Sequence, residues 1–124
     1  MELKTFFFDT YAFYEIIKGN ENYKPYVKGI AIITTKLNLM ELYYGLLLDH
    51  GIATAEKYFL KFSKFCIDIS DENIRKAMHF KAKNKEKNLS YIDCIGYIIS
   101  QQRNIPFLTG DKSFESLPDV EFVK

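Results

Sequence analysis

The sequence has no tryptophan, two cysteines, three prolines and six glycines in 124 residues, and neither sign of charge is in real surplus. Each shortage excludes something. Cys66 and Cys94 are too few and too far apart to suggest a disulfide framework or a zinc site, and both sit in apolar stretches, so they are expected to be buried thiols. No Pro/Ser-rich linker, repeat or low-complexity segment divides the chain, and residues 1–124 are expected to form a single domain. No apolar run approaches the ~18 residues of a membrane span, and the opening "MELKTFFFDT" lacks the apolar segment of a signal peptide. A cytoplasmic protein with no membrane partner is therefore expected. With 17 Lys and Arg against 16 Asp and Glu, the net charge of +1 gives no global nucleic-acid signature.

What is abundant is apolar and aromatic. Hydrophobic residues make up 48% and aromatics 16%, with eleven Phe and nine Tyr, enough to bury a substantial core. Lys4 to Phe8 is a short apolar run ending at Asp9, expected as a buried strand, and Tyr11 to Lys18 follows as a helix closed by Gly19 and Asn20. After a polar connection around Pro25, Gly29 to Thr35 is a β-branched second strand. Thr34 or Thr35 then caps a helix, "KLNLMELYYGLLLDH", and a further helix carries Tyr58, Phe59, Phe62 and Phe65 at helical spacing, as core or dimer contact. Cys66 to Ile69 is expected as a third short strand. Ser70 opens a basic helix that stops near Asn88, Ser90 opens another, and "FLTGD" and "VEFV" supply the last strands. Strands alternating with helices predict an α/β fold with a mostly parallel sheet covered on both faces.

In such sheets the binding crevice lies beyond the carboxyl ends of the strands, where the strand order reverses. Asp9 ends the first strand, and Asp111 follows the strand at Phe107-Leu108 by a two-residue turn, so both reach one rim. Asp9 and Asp111 also suit helix or turn caps, and Ser90-x-x-Asp93 reads as a capping box. Glu41 has no such alternative. From Leu37 to Leu48 only Asn38 and Glu41 are strongly polar, so the helix reads as buried nearly all round, and an unpaired buried carboxylate costs several kcal/mol. Its partner must be a remote Lys or Arg, a hydrogen-bond donor or a cation. Acids gathered at a strand rim repel one another unless a divalent ion is present, and Mg²⁺ or Mn²⁺ takes a few carboxylates, retained waters and substrate phosphate. The basic run from Arg75 to Lys87, with Arg75, Lys76 and Lys83, is either a solvated helix face or a set of nucleic-acid contacts.

"FFFDTYAF", "TTKLNLMELYYG", "SYIDCIGYIIS" and "FLTGDKSF" together resemble the PIN-domain family, which includes the toxin halves of VapBC-type toxin–antitoxin pairs. The order and spacing of these segments are more specific than any one of them. The resemblance implies a three-layer α/β/α fold with a four- to five-stranded sheet, usually dimeric. It places Asp9, Glu41, Asp93 and Asp111 at the family's four acidic positions, with Thr10 at a hydroxyl position after the first acid and Thr109 at a small polar position before the last. It implies an endoribonuclease in which Mg²⁺ or Mn²⁺, held mainly by Asp9, Asp93 and Asp111, polarises the phosphoryl oxygen and activates water, while Glu41 holds a water on that ion or a second ion. The implied partners are an RNA substrate, a second copy in a homodimer and an antitoxin protein. Many members carry a further acid where this chain has Ser113, with Glu115 out of register. The alternatives are a housekeeping PIN nuclease and an inactive PIN-like binding module. A haloacid-dehalogenase-type phosphatase needs an acid where Tyr11 stands, and a receiver-like domain needs paired acids near the N-terminus, so both fit poorly.

Overall fold

The computed structural model describes residues 3–124. Its centre is β1, Lys4–Phe8, whose alternating side chains are divided between two cores. Phe6 and Phe8 join Phe13, Leu39, Leu42, Leu46 and Phe62 on one face, and Phe7 joins Cys94, Tyr97, Ile99, Phe107 and Phe114 on the other. A strand buried on both faces can only be internal, and the period-two alternation of strand side chains then makes two apolar layers from one run of Phe.

On either side of β1 run β2, Ile30–Ile33, and β3, Phe107–Thr109, both parallel to it. Beyond β3 lies β4, Val120–Phe122, also parallel, giving the order β2-β1-β3-β4. The chain thus steps one way from β1 to β2 and later returns to the opposite side of β1. This places a topological switch point between β1 and β3, and the carboxyl ends of those strands open onto one crevice.

One face is covered by α1, Thr10–Lys18, α2, Lys36–His50, and α3, Ile52–Phe62. The other is covered by α4, Asp71–Lys83, and α5, Tyr91–Gln102. The three-layer α/β/α arrangement agrees with the sequence expectation. Caps explain several boundaries. Gly19 closes α1 at φ 77°, and Thr35, Ser70 and Ser90 accept from backbone N–H groups three residues on at the starts of α2, α4 and α5.

Four expectations need correction. Cys66 to Ile69 is not a strand: only Cys66 forms a bridge, to Thr34 just past β2, because Ile67 and Ile69 turn into the core beneath α4 and Ser70 is committed to capping that helix. The helix α2 is not buried all round, since Met40, Tyr44 and Leu48 are each more than half exposed. The basic helix ends at Lys83, not near Asn88; a single short turn, Lys85–Lys87, follows, with Asn88 left-handed at φ 55°. Cys94 is buried as expected, but Cys66 is only partly so. The aromatic stripe of α3 belongs to the core, with the Phe62 and Phe13 rings 4.6 Å apart and Tyr58, Phe59 and Phe65 packed around them. Among the described residues no helix is long and apolar enough to cross a membrane.

Candidate active site

Asp9 occupies the N-cap position of α1, directly after β1, yet its side chain makes no capping bond. It turns instead across the switch point, where the Thr109 hydroxyl donates to its Oδ2 at 2.7 Å. Thr109 is the last residue of β3, so this bond ties together the two strand ends that frame the crevice. The Asp111 N–H donates to the same Thr109 oxygen at 3.1 Å, fixing the turn that carries Asp111 to the rim. The hydroxyl position before the last acid is therefore a brace between two acids.

Thr10 has a matching role on the other side. Its hydroxyl donates to Glu41 Oε1 at 2.7 Å and accepts from Asn38 Nδ2 at 3.2 Å. Asn38 is buried and is held in turn by Thr35, whose hydroxyl donates to Asn38 Oδ1 at 2.7 Å. The partner that a half-buried Glu41 requires is thus a hydrogen-bond donor from α1. Asn38 was the residue sequence reasoning passed over, although the signal was there: it is one turn before Glu41, on the same face, and the only other strongly polar side chain in that stretch.

The capping box on α5 is real, with Asp93 N–H donating to Ser90 Oγ at 3.0 Å and Ser90 N–H donating to Asp93 Oδ2 at 2.9 Å. Asp111 also caps, accepting from Ser113 N–H at 3.0 Å. Both still face the crevice electrostatically. The Asp9 carboxyl is raised to about 7, by burial first and then by the Asp93 charge, with the Thr109 and Thr10 hydrogen bonds opposing and a smaller contribution from the Glu41 charge. Burial also raises Glu41, with the Thr10 bond opposing and the Asp93 charge adding. Asp93 is raised by burial, restrained by its Ser90 bonds, and raised again by the Asp111 charge. Every one of the four acids is therefore within electrostatic range of another, and Asp93 is in the middle.

Lys81 was also missed as a site residue. Its ammonium donates to the Leu89 carbonyl, lies 4.9 Å from the Tyr91 ring centroid, and offsets part of the rise at Asp93. By contrast Arg75, Lys76 and Lys83 stand exposed on α4, and Lys76 is paired with Glu72 at 3.0 Å. The basic run is consequently split, with Lys81 turned toward the acids and Arg75, Lys76 and Lys83 facing solvent.

A family model for the PIN domain matches residues 6–120. The chain belongs to the PIN domain family. This is a family of nucleases, and solved structures with the same fold come from toxin–antitoxin systems. The chain matches Mycobacterium tuberculosis VapC20, a Sarcin-Ricin loop cleaving toxin, at 16% identity and TM-score 0.79, over 96% of this chain and 99% of that one. It matches a chain of DNA-bound VapBC from Salmonella typhimurium at 18% identity and TM-score 0.75, covering 98% and 97%. A toxin–antitoxin complex from Klebsiella pneumoniae matches at 20% identity and TM-score 0.73, covering 92% and 93%. No curated protein sequence matches the chain.

PIN nucleases generally use divalent metal ions, and the donor chemistry of this crevice suits a hard cation. The four acids present oxygen ligands only, and at Asp9, Glu41 and Asp93 burial with mutual repulsion disfavours the anionic forms that a divalent ion would stabilise. Among the described residues no three His, Cys, Asp or Glu side chains close into a ligand cage. Mg²⁺ and Mn²⁺ are hard ions that keep several waters and take few direct protein ligands.

Proposed function

We propose that this protein, acting as one domain, is a Mg²⁺- or Mn²⁺-dependent endoribonuclease and the toxin component of a type II toxin–antitoxin pair in the cytoplasm. The observation that carries this is the placement of Asp9, buried at the switch point with its carboxyl raised to about 7 by burial and by neighbouring acids. A protein keeps so costly an arrangement where the charge serves a ligand. Asp9, Asp93 and Asp111 are the ligands we assign, directly or through waters that the ion keeps, with Glu41 as the fourth acid of the site. When bound, the cation supplies Lewis-acid activation of the phosphodiester and of the attacking water.

The chain's own residues do the positioning. Thr109 holds the Asp9 carboxylate and the Asp111 backbone in one arrangement, and Thr10 with Asn38 holds Glu41. Ser90 fixes Asp93 at the start of α5, where the helix dipole favours its anionic form. With a net charge of +1, RNA affinity rests on contact between phosphate and the cation, helped by Arg75, Lys76 and Lys83, and falls steeply with salt.

The toxin reading also draws on an apolar surface away from the acids. Met40, Tyr44 and Leu48 on α2 and Ile52 and Leu60 on α3 are exposed, and Met40, Tyr43, Glu56, Phe59 and Leu60 line a groove of about 410 Å³. A helical groove of this kind suits the apolar stripe of an antitoxin helix or the second copy in a homodimer.

The test is cleavage of synthetic single-stranded and hairpin RNAs with Mg²⁺ or Mn²⁺, with EDTA, and with Asp9→Asn. We expect cleavage that EDTA abolishes and that Asp9→Asn slows by roughly a thousandfold, the several kcal/mol a catalytic ion contributes. Absence of cleavage by the wild type, with a protein partner bound equally by wild type and Asp9→Asn, would establish an inactive binding module instead.

A further inference from the structure

We infer that the outer edge of β2, with the pocket beside it, is a docking site for an extended acidic peptide that adds a strand to the sheet. In a parallel strand each residue turns its N–H and C=O to the same side, and successive residues alternate sides. Thr34, just past β2, turns both outward: its N–H donates to the Phe65 carbonyl at 3.0 Å, and its carbonyl accepts from Ile67 N–H at 3.0 Å. Ile32 and Ile30, two and four residues back, turn theirs to the same edge. Among the described residues β2 pairs only with β1, and no backbone bond is made to Ile30 or Ile32 from the outer side. The ladder begun at Thr34 is left open along the rest of the strand.

A pocket of about 120 Å³ adjoins this edge. Ile32 of β2 lines it together with Phe8, Tyr26, Val27, Phe62 and Phe65. It is apolar and of the size to take one large side chain. An open edge supplies main-chain bonds, and a pocket at strand level selects the side chain, which together are the requirements of strand addition.

The charge at the mouth defines the partner. Lys61 and Lys64 line the pocket, and exposed Lys28 stands two residues before β2. None is in an ion pair among the described residues. The carboxylate bonded to a lining residue, Glu121, is engaged by the Tyr26 hydroxyl at 2.6 Å. A second copy of this chain would bring the same lysines against these, so its edge is disfavoured as occupant. An acidic segment with a large apolar residue is favoured. The site is on the far side of β1 from the switch point, and the inference does not depend on nuclease activity.

The probe is a fluorescein-labelled peptide, Glu-Val-Glu-Phe-Asp-Val, titrated onto the full chain by anisotropy, with amide hydrogen exchange read at Ile30 and Ile32. Saturable binding that slows exchange at both amides is expected. N-methylation of alternate peptide amides should abolish binding, and a version with Lys for each acid should not bind. Lys61→Glu with Lys64→Glu should weaken binding about tenfold at unchanged Tm, since each exposed pair contributes a fraction of a kcal/mol. Asp9→Asn should bind as wild type. Equal binding of the methylated peptide, or protection at Met40 and Tyr43 instead of Ile30 and Ile32, would overturn strand addition. So would no binding at all, which would leave the lysines as guards of an edge strand. Concentration-dependent protection of Ile30 and Ile32 without peptide would assign the edge to a second copy and also overturn it.

Discussion

Replacing Asp9 with Asn should make the metal-free protein more stable at alkaline pH while removing its function. Asp9 is 3% exposed, and its carboxyl is raised from 3.8 to about 7, first by burial and then by the Asp93 charge. Because the folded-state value lies above the unfolded one, the folded protein holds the proton more tightly. That contribution is complete below about pH 4 and is lost as pH rises through about 7. At 1.36 kcal/mol per pKa unit the full difference is about 4 kcal/mol, and relaxation and water entry reduce it to about 2 kcal/mol. Asparagine is nearly the same size, can still accept the Thr109 hydroxyl through its carbonyl oxygen, and carries no charge. For 124 residues the unfolding entropy is about 0.26 kcal/mol/K, so the gain is roughly 8 °C in Tm at pH 8. The assay is thermal unfolding in EDTA from pH 5 to 8. Wild type should lose stability across that range and regain it when Mg²⁺ is added, whereas Asp9→Asn should be flatter and insensitive to Mg²⁺. A wild-type Tm that does not fall with pH, together with an unchanged or lower Tm for Asp9→Asn at pH 8, would refute the claim that this carboxylate is held against its own charge.

Mn²⁺ titration by calorimetry should show affinity reduced tenfold or more in Asp93→Asn, whereas Ser90→Ala should cost about 1 kcal/mol of stability by urea unfolding and retain binding, because it removes the cap but leaves the carboxylate. Thr10→Val deprives Glu41 of its donor, and should cost about 1–3 kcal/mol in urea and raise the Glu41 pKa further, as read by carboxyl NMR titration. Gly96→Ala would set a Cβ 2.9 Å from Cε1 of Phe7, in the packed layer between α5 and β1, and should cost about 1–3 kcal/mol in the same assay. Met40→Glu with Leu60→Glu changes exposed positions only, so Tm should hold while sedimentation shows loss of a dimer or of antitoxin binding.

The strands and their order of use were legible because β1 is so apolar. Three successive Phe residues ending in Asp9 need burial on both sides, and only a central parallel strand provides it. Asp9 and Asp111 were legible for a related reason, since acids placed just after apolar runs lie at strand ends, whereas Glu41 stood out as a carboxylate on an apolar helix and Asp93 was singled out only by the family resemblance. The extent of burial of α2 was not. Leucines and tyrosines spread around that helix look the same to the sequence whether they meet a core, a partner or water, and in the structure Leu39, Leu42 and Leu46 are buried while Met40, Tyr44 and Leu48 are exposed. The strand expected at Cys66 to Ile69 failed because strand formation there depends on where the short turn Ser63–Phe65 and the cap at Ser70 leave the chain, and neither is a property of the four residues themselves.

The caps and the site turn out to be one arrangement. A carboxylate that only capped a helix would be comfortable as an anion, since backbone N–H bonds and the helix dipole lower its pKa. Asp93 has those bonds from Ser90, and yet its carboxyl is raised, because burial outweighs them and the Asp111 charge adds to it. Asp9 holds the N-cap position and declines the capping bond altogether, spending its oxygen on Thr109 across the switch point. The helix starts fix these carboxylates at the crevice, and the energetic excess that capping cannot explain is the reason a cation, and not capping alone, is proposed as their role.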